Sequence, residues 1–243
     1  MKEVICLMAS SLNDVTYNYY KICENIEKAA QSVGKSSSDI TFLAATKTVD
    51  PITINHAISL GLRYIGENRV QELLSKYDDY DLENASLQFI GHLQSNKVRQ
   101  IVGKVDLIQS VDSVKLAQEI SRQSEKIGIS TDILLEVNIG REENKSGVMP
   151  EALDELIEEV RTIPHIQVKG LMTIPPICEN AQENCKFFTN MHDIFIDIKG
   201  KNIDNISMDI LSMGMSDDYE EAIKCGASMV RVGSALFGAR NYN

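Results

Sequence analysis

The chain has 243 residues, 43% hydrophobic and 24% charged, with 14 Gly and 5 Pro, which excludes collagen-like, low-complexity and largely disordered classes. The formal net charge of −11 opposes non-specific binding to nucleic acid or anionic lipid, so an anionic ligand needs a local positive site. Apolar runs such as 5–8 and 133–135 are too short to cross a bilayer, and no long apolar segment follows Lys2, so neither a membrane span nor a signal peptide is expected.

In chain order, an amphipathic helix comes first, over 13–33, with Val15, Ile22, Ile26, Ala29 and Val33 on one face. A strand over 40–45 and a helix over 50–60 follow. The alternation continues with strand 64–66, helix 69–77, strand 87–90, helix 96–102, strand 105–109 and helix 113–127. It ends with strand 132–137, helix 150–161, strand 167–170, helix 181–199, strand 206–209, helix 217–225 and strand 229–232. Asp50-Pro51 reads as an N-cap before a Pro at the first helical position. Asp112 or Ser113 caps the helix over 113–127, and Gly128 and Gly226 are suited to end helices. Five Cys stand at 6, 23, 178, 185 and 225, an odd number without a C-x-x-C pair. They read as free thiols in a reducing, cytoplasmic setting.

No Pro-, Gly- or Ser-rich stretch divides the chain, so residues 1–243 are expected to form a single domain. Eight strands alternating with helices predict a single-domain (β/α)8 TIM barrel with an extra N-terminal helix. An open doubly wound sheet is the rival, and the absence of a G-x-G-x-x-G after the first strand weakens its dinucleotide-binding form. In a barrel the functional groups sit at the C-terminal ends of the strands.

The first strand runs into Thr46-Lys47-Thr48. Lys47 is either a solvated loop residue or an amine in the barrel mouth, where desolvation would free it to form a Schiff base. The seventh and eighth strands end in Ser212-Met213-Gly214-Met215-Ser216 and Gly233-Ser234. Glycines there let the backbone approach a ligand, and the hydroxyls add donors, the usual place for phosphate in a barrel. Arg231 interrupts an apolar strand. It is either half of an ion pair with Glu136 or Asp209, or an anchor for a ligand acceptor. His92 follows the third strand and reads as structural or catalytic. No G-x-S-x-G elbow and no His pair at ligand spacing supports a Ser-His-Asp or metal reading.

These segments resemble the pyridoxal-phosphate homeostasis proteins, the YggS/PROSC family of alanine-racemase-like barrels. The matching stretches begin at Phe42-Leu43-Ala44-Ala45-Thr46-Lys47 and Gly66-Glu67-Asn68, followed by Gly91-His92-Leu93-Gln94-Ser95-Asn96-Lys97 and Glu136-Val137-Asn138-Ile139. They continue with Lys145-Ser146-Gly147, Gly170-Leu171-Met172-Thr173, Leu211-Ser212-Met213-Gly214-Met215-Ser216-Asp217 and Arg231-Val232-Gly233-Ser234. They run in order along almost the whole chain. The resemblance implies an alanine-racemase N-terminal-domain-like barrel that binds pyridoxal 5′-phosphate (PLP), with Lys47 forming the internal aldimine. It implies Met215, Ser216, Gly233 and Ser234 around the phosphate, Arg231 at the pyridine nitrogen, Asn68, His92 and Met172 around the ring, and Ser212 among the cofactor-binding residues. Thr46 stands where the family often has Ser or Cys.

The residues and the resemblance describe one planar phosphorylated aldehyde. A guanidinium facing the ring nitrogen disfavours a second positive charge there and weakens the electron sink. Racemases add a second acid or base from a separate β domain, which is not expected in a chain whose last residue, Asn243, follows barrel closure. The expected function is therefore a cytoplasmic, monomeric PLP-binding protein that takes part in PLP homeostasis with little or no turnover. Its expected partners are PLP and PLP-dependent apoenzymes, without nucleic acid or membrane. A low-activity amino-acid racemase, with His92 or Tyr64 as base, is the alternative. A Schiff-base aldolase on a phosphosugar fits the Lys and the phosphate cup but leaves Arg231 without a role.

Overall fold

The computed structural model describes residues 11–176, 178 and 181–238. Helix α1 (Leu12–Ser32) opens with a capping box in which Ser11 and Asp14 exchange hydrogen bonds. Val15, Ile22, Ile26 and Ala29 are buried as expected, whereas Val33 caps the helix and is 41% exposed. The barrel elements then follow in order: β1 (Thr41–Ala45), α2 (Pro51–Ser59), β2 (Tyr64–Glu67), α3 (Val70–Lys76), β3 (Ser86–Phe89), β4 (Leu107–Val111), α4 (Val114–Lys126) and β5 (Thr131–Glu136). The second half is α5 (Leu153–Val160), β6 (Ile166–Met172), α6 (Ala181–Lys201), β7 (Ile206–Ser212), α7 (Tyr219–Lys224), β8 (Met229–Val232) and α8 (Ser234–Phe237). All eight strands pair in parallel in chain order, and β1 pairs with β8 to close the barrel.

Asp50 accepts from Thr53 N at 2.9 Å with Pro51 in the first turn of α2, as the sequence predicts. Ser113 takes the N-cap place of α4 but makes no side-chain cap bond. The helix expected over 96–102 is a 3-10 segment at Ser95–Gln100. Bonds such as Lys97 N–H to Gln94 O and Ile101 N–H to Val98 O are of the tighter i→i+3 kind. Strands β6 and β7 extend to Met172 and Ser212, beyond their predicted ends.

Side chains alternate across each strand. Ala44, Val230 and Leu171 join the layer between sheet and helices. Leu43, Leu107, Leu134, Met172 and Met229 fill the barrel interior, together with Ile90 just beyond β3. Gly66 faces the same interior, where an added Cβ would lie 2.6 Å from Leu43 Cδ2. Helix α1 packs against α7, α8 and α2, outside the barrel. Cys23, Cys178, Cys185 and Cys225 are free thiols, and Cys6 lies outside the described residues. No helix among the described residues is long and apolar enough to cross a membrane.

Candidate functional site

The C-terminal strand ends bring polar groups such as Asn68, Ser216 and Arg231 together with apolar ones such as Ala45 and Ile90. A cavity of about 400 Å³ opens there, lined by Ala45, Asn68, Ile90, Ile174, Met215, Ser216, Asp217, Arg231, Gly233 and Ser234. That volume lies in the range of small-molecule sites. A larger hollow of about 520 Å³ lies at the opposite end, at the starts of β3 to β5. It lies at the N-terminal ends of the strands, and barrel chemistry belongs to the other face.

Arg231 is the most buried cation of the mouth, 3% exposed. Alternation on β8 sends it inward. Nη1 donates to Ser212 Oγ at 2.6 Å and Nη2 to Thr173 O at 2.8 Å. Ser212 Oγ donates in turn to Gln109 Oε1 at 2.7 Å, and Gln109 Nε2 donates to Gln88 Oε1 at 2.6 Å. This buried chain fixes the guanidinium and leaves three of its five N–H donors without a protein acceptor among the described residues. The sequence left an ion pair with Glu136 or Asp209 open. Among the described residues Arg231 makes no ion pair, and Asp209 is exposed. Burial pulls the guanidinium down to about 10, with Glu136 and Asp218 opposing from a distance, so it stays protonated at neutral pH.

Beside it, Ser216 Oγ accepts from Gly233 N at 3.0 Å and Ala235 N at 3.2 Å. Two backbone amides thus converge on one oxygen at the rim. Gly214, at φ +90°, makes the turn possible, since a Cβ there would lie 2.5 Å from Ala222 Cβ. Asn68 Oδ1 is buried without a hydrogen-bond partner among the described residues. A cation with spare donors, a serine hydroxyl fixed by two amides and an orphaned amide oxygen fit a planar heteroaromatic ring carrying a phosphate.

Lys47 stands two residues past Ala45, in a turn, and is half-buried. It is not among the residues lining the cavity, and its side chain makes no ion pair or hydrogen bond among the described residues. Thr48, next to it, has φ +65°. For a β-branched residue this costs on the order of 1–3 kcal/mol and needs support from its surroundings. Of the other expected residues, Met172 and Ser212 are fully buried beneath the cavity, and His92 is exposed beyond β3. Tyr64 begins β2 and so lies at the opposite end of the barrel, which removes it as a base.

Glu136, which the sequence offered as an ion-pair partner for Arg231, makes no ion pair among the described residues. Its side chain is buried, Oε1 accepts from Ser146 Oγ at 2.9 Å, and Oε2 has no partner among the described residues. Burial pushes its carboxyl above the ordinary range and Asp112 adds to this, while Ser146, Arg231 and His92 act the other way. A raised folded value means that the folded chain holds the proton more tightly than the unfolded one. Stability therefore falls as pH rises from about 4. Glu136→Gln is expected to raise the urea midpoint at pH 7, with the gain vanishing by about pH 4. An equal gain at both pH values would point to packing instead.

The fold and the mouth define a barrel of the alanine-racemase type, and comparison with known proteins agrees. The alanine racemase N-terminal domain model matches residues 18–241. A pyridoxal phosphate homeostasis protein of Aquifex aeolicus is 44% identical over 225 residues, covering 91% of this chain and 96% of that protein. A solved protein of Bifidobacterium adolescentis, described as unknown, is 34% identical with a TM-score of 0.89, covering 93% of this chain and 95% of that one. PipY of Synechococcus elongatus, solved with PLP bound, is 31% identical with a TM-score of 0.78, covering 89% of this chain and 100% of its own. The chain belongs to the pyridoxal phosphate homeostasis family.

Proposed function

We propose that this chain binds pyridoxal 5′-phosphate at the barrel mouth and serves in its homeostasis, with little or no turnover. The observation that carries this is Arg231, a buried cation on the cavity wall that is paired to no carboxylate among the described residues and keeps spare donors. When bound, the cofactor supplies an aldehyde that condenses reversibly with amines and a ring that acts as an electron sink once its nitrogen is protonated. Lys47 offers the amine. The hydroxyls of Ser216 and Ser234 hold the phosphate beside Gly233, with Ser216 Oγ fixed by the amides of Gly233 and Ala235, Met215 next to them and Ser212 fixing Arg231 from below. Asn68, His92 and Met172 border the ring. Arg231 donates to the ring nitrogen and keeps a proton off it, which suits retention over catalysis.

Residues 1–243 act as one unit in this reading. A closed sheet offers no strand edge for pairing with a second copy, and the unit is read as the monomer. PLP-dependent apoenzymes in the cytoplasm are the recipients. The test is a visible spectrum of the protein after PLP addition, followed by borohydride reduction and peptide mapping. A yellow protein with the pyridoxyl mass on Lys47 is expected. A colourless protein that takes up no PLP would overturn the reading. Rapid loss of α-deuterium from amino acids, at enzyme-like rates of about 1 s⁻¹ or more, would favour the racemase instead.

A further inference from the structure

We propose that Lys76, acting with Glu67 and Glu72, is a positioning residue that presents Lys47 to the cofactor. This rests on the reading of Lys47 as the reacting amine. The backbone around Lys47 forms a β-turn in which Val49 N–H donates to Thr46 O at 3.0 Å. Lys47 and Thr48 are its two central residues, and Thr48 adopts φ +65°, the sign found at this position in type II and I′ turns. Glycine or asparagine is the usual occupant, and a threonine persists there only when its surroundings dictate the conformation.

Those surroundings come from α3. Lys76, its last residue, is 12% exposed at the side chain, and all three of its N–H donors are engaged. They go to Thr46 O at 3.2 Å, Glu67 Oε1 at 3.1 Å and Glu72 Oε1 at 2.6 Å. Glu72 Oε1 also accepts the backbone N–H of Thr48. Glu67, fully buried, accepts from Thr46 Oγ1 at 2.8 Å and Tyr80 OH at 2.6 Å through the same Oε1. Burial and the nearby Glu67 push the Tyr80 phenol well above its usual range, so it remains a donor. The residues on both sides of Lys47 are therefore tied to α3. The Lys47 side chain between them has no hydrogen bond or ion pair among the described residues. A free amine on a fixed backbone is the arrangement a nucleophile needs. A buried charge cluster is a poor way to gain stability compared with apolar packing, which argues for a geometric role.

The test uses the full chain with saturating PLP. Total bound cofactor is measured after denaturing release, and the share bonded to Lys47 is measured by borohydride trapping and peptide mapping. Thermal melting is followed alongside. The wild type comes first: no Lys47 adduct would sink the reading of the site itself, before any variant is made. With that adduct present, Lys76→Met and Glu72→Leu are each expected to lower the trapped share of bound cofactor at least threefold, since each removes a tie to the backbone beside Lys47. An unchanged trapped share, with or without a lower melting temperature, would overturn the positioning role. Should Lys76→Met fail to fold, Glu72→Leu decides, because it keeps the contact of Lys76 with Glu67.

Discussion

Lys47→Ala is expected to abolish the pyridoxyl adduct and the shifted visible band, and to weaken retention of PLP about 100-fold, or about 2.7 kcal/mol. The loss is large because two nearby lysines, Lys76 and Lys145, are engaged by other partners. Lys76 has all three donors engaged. Lys145 is held by Glu142 at 2.5 Å and donates to Pro175 O at 3.4 Å. The loss is not total, because the hydroxyls of Ser216 and Ser234 and the guanidinium of Arg231 still offer donors to the phosphate and ring. Equilibrium dialysis against PLP measures the affinity, and borohydride trapping with peptide mapping measures the adduct. An adduct that moves to another lysine with affinity unchanged would show that Lys47 is not the amine of this site.

The barrel was legible because its strands are short apolar runs separated by capped helices. The mouth was legible where a single residue type breaks the local pattern: a Lys after β1, an Arg within β8, and Gly and Ser after β7 and β8. What the sequence hides depends on neighbours that only closure creates. Glu67, Lys76 and Tyr80 meet because α3 folds back over the end of β2. Gln88 and Gln109 join Ser212 because β3, β4 and β7 all turn these positions inward. Polar residues in otherwise apolar strands were the available signal for both groups. The predicted ends of β6 and β7 fell short for a different reason. Gly170 and Asp209 look like breakers, yet Gly170 sits at a bulge that shifts register without ending the strand, and Asp209 is exposed on a strand that runs on.

That bulge leads to the largest expected loss of stability, from Gly170→Ala. Gly170 has φ +149°, and a Cβ there would lie 1.9 Å from Ile210 O on β7. The obstacle is a backbone carbonyl, not a flexible side-chain tip, so relief requires β6 and β7 to separate. Strain and overpacking together are expected to cost roughly 3–5 kcal/mol, which for a chain of this size lowers the melting temperature by roughly 10 °C. The same separation reaches the site. Thr173 N–H donates to Ser212 O at 3.1 Å across the ends of these two strands, and Thr173 O and Ser212 Oγ are the two acceptors of Arg231. PLP affinity should therefore fall in the fraction that stays folded, measured well below the melting transition. Melting and affinity both close to wild type would mean that β7 yields locally at Ile210, and that the Arg231 anchorage does not depend on the bulge.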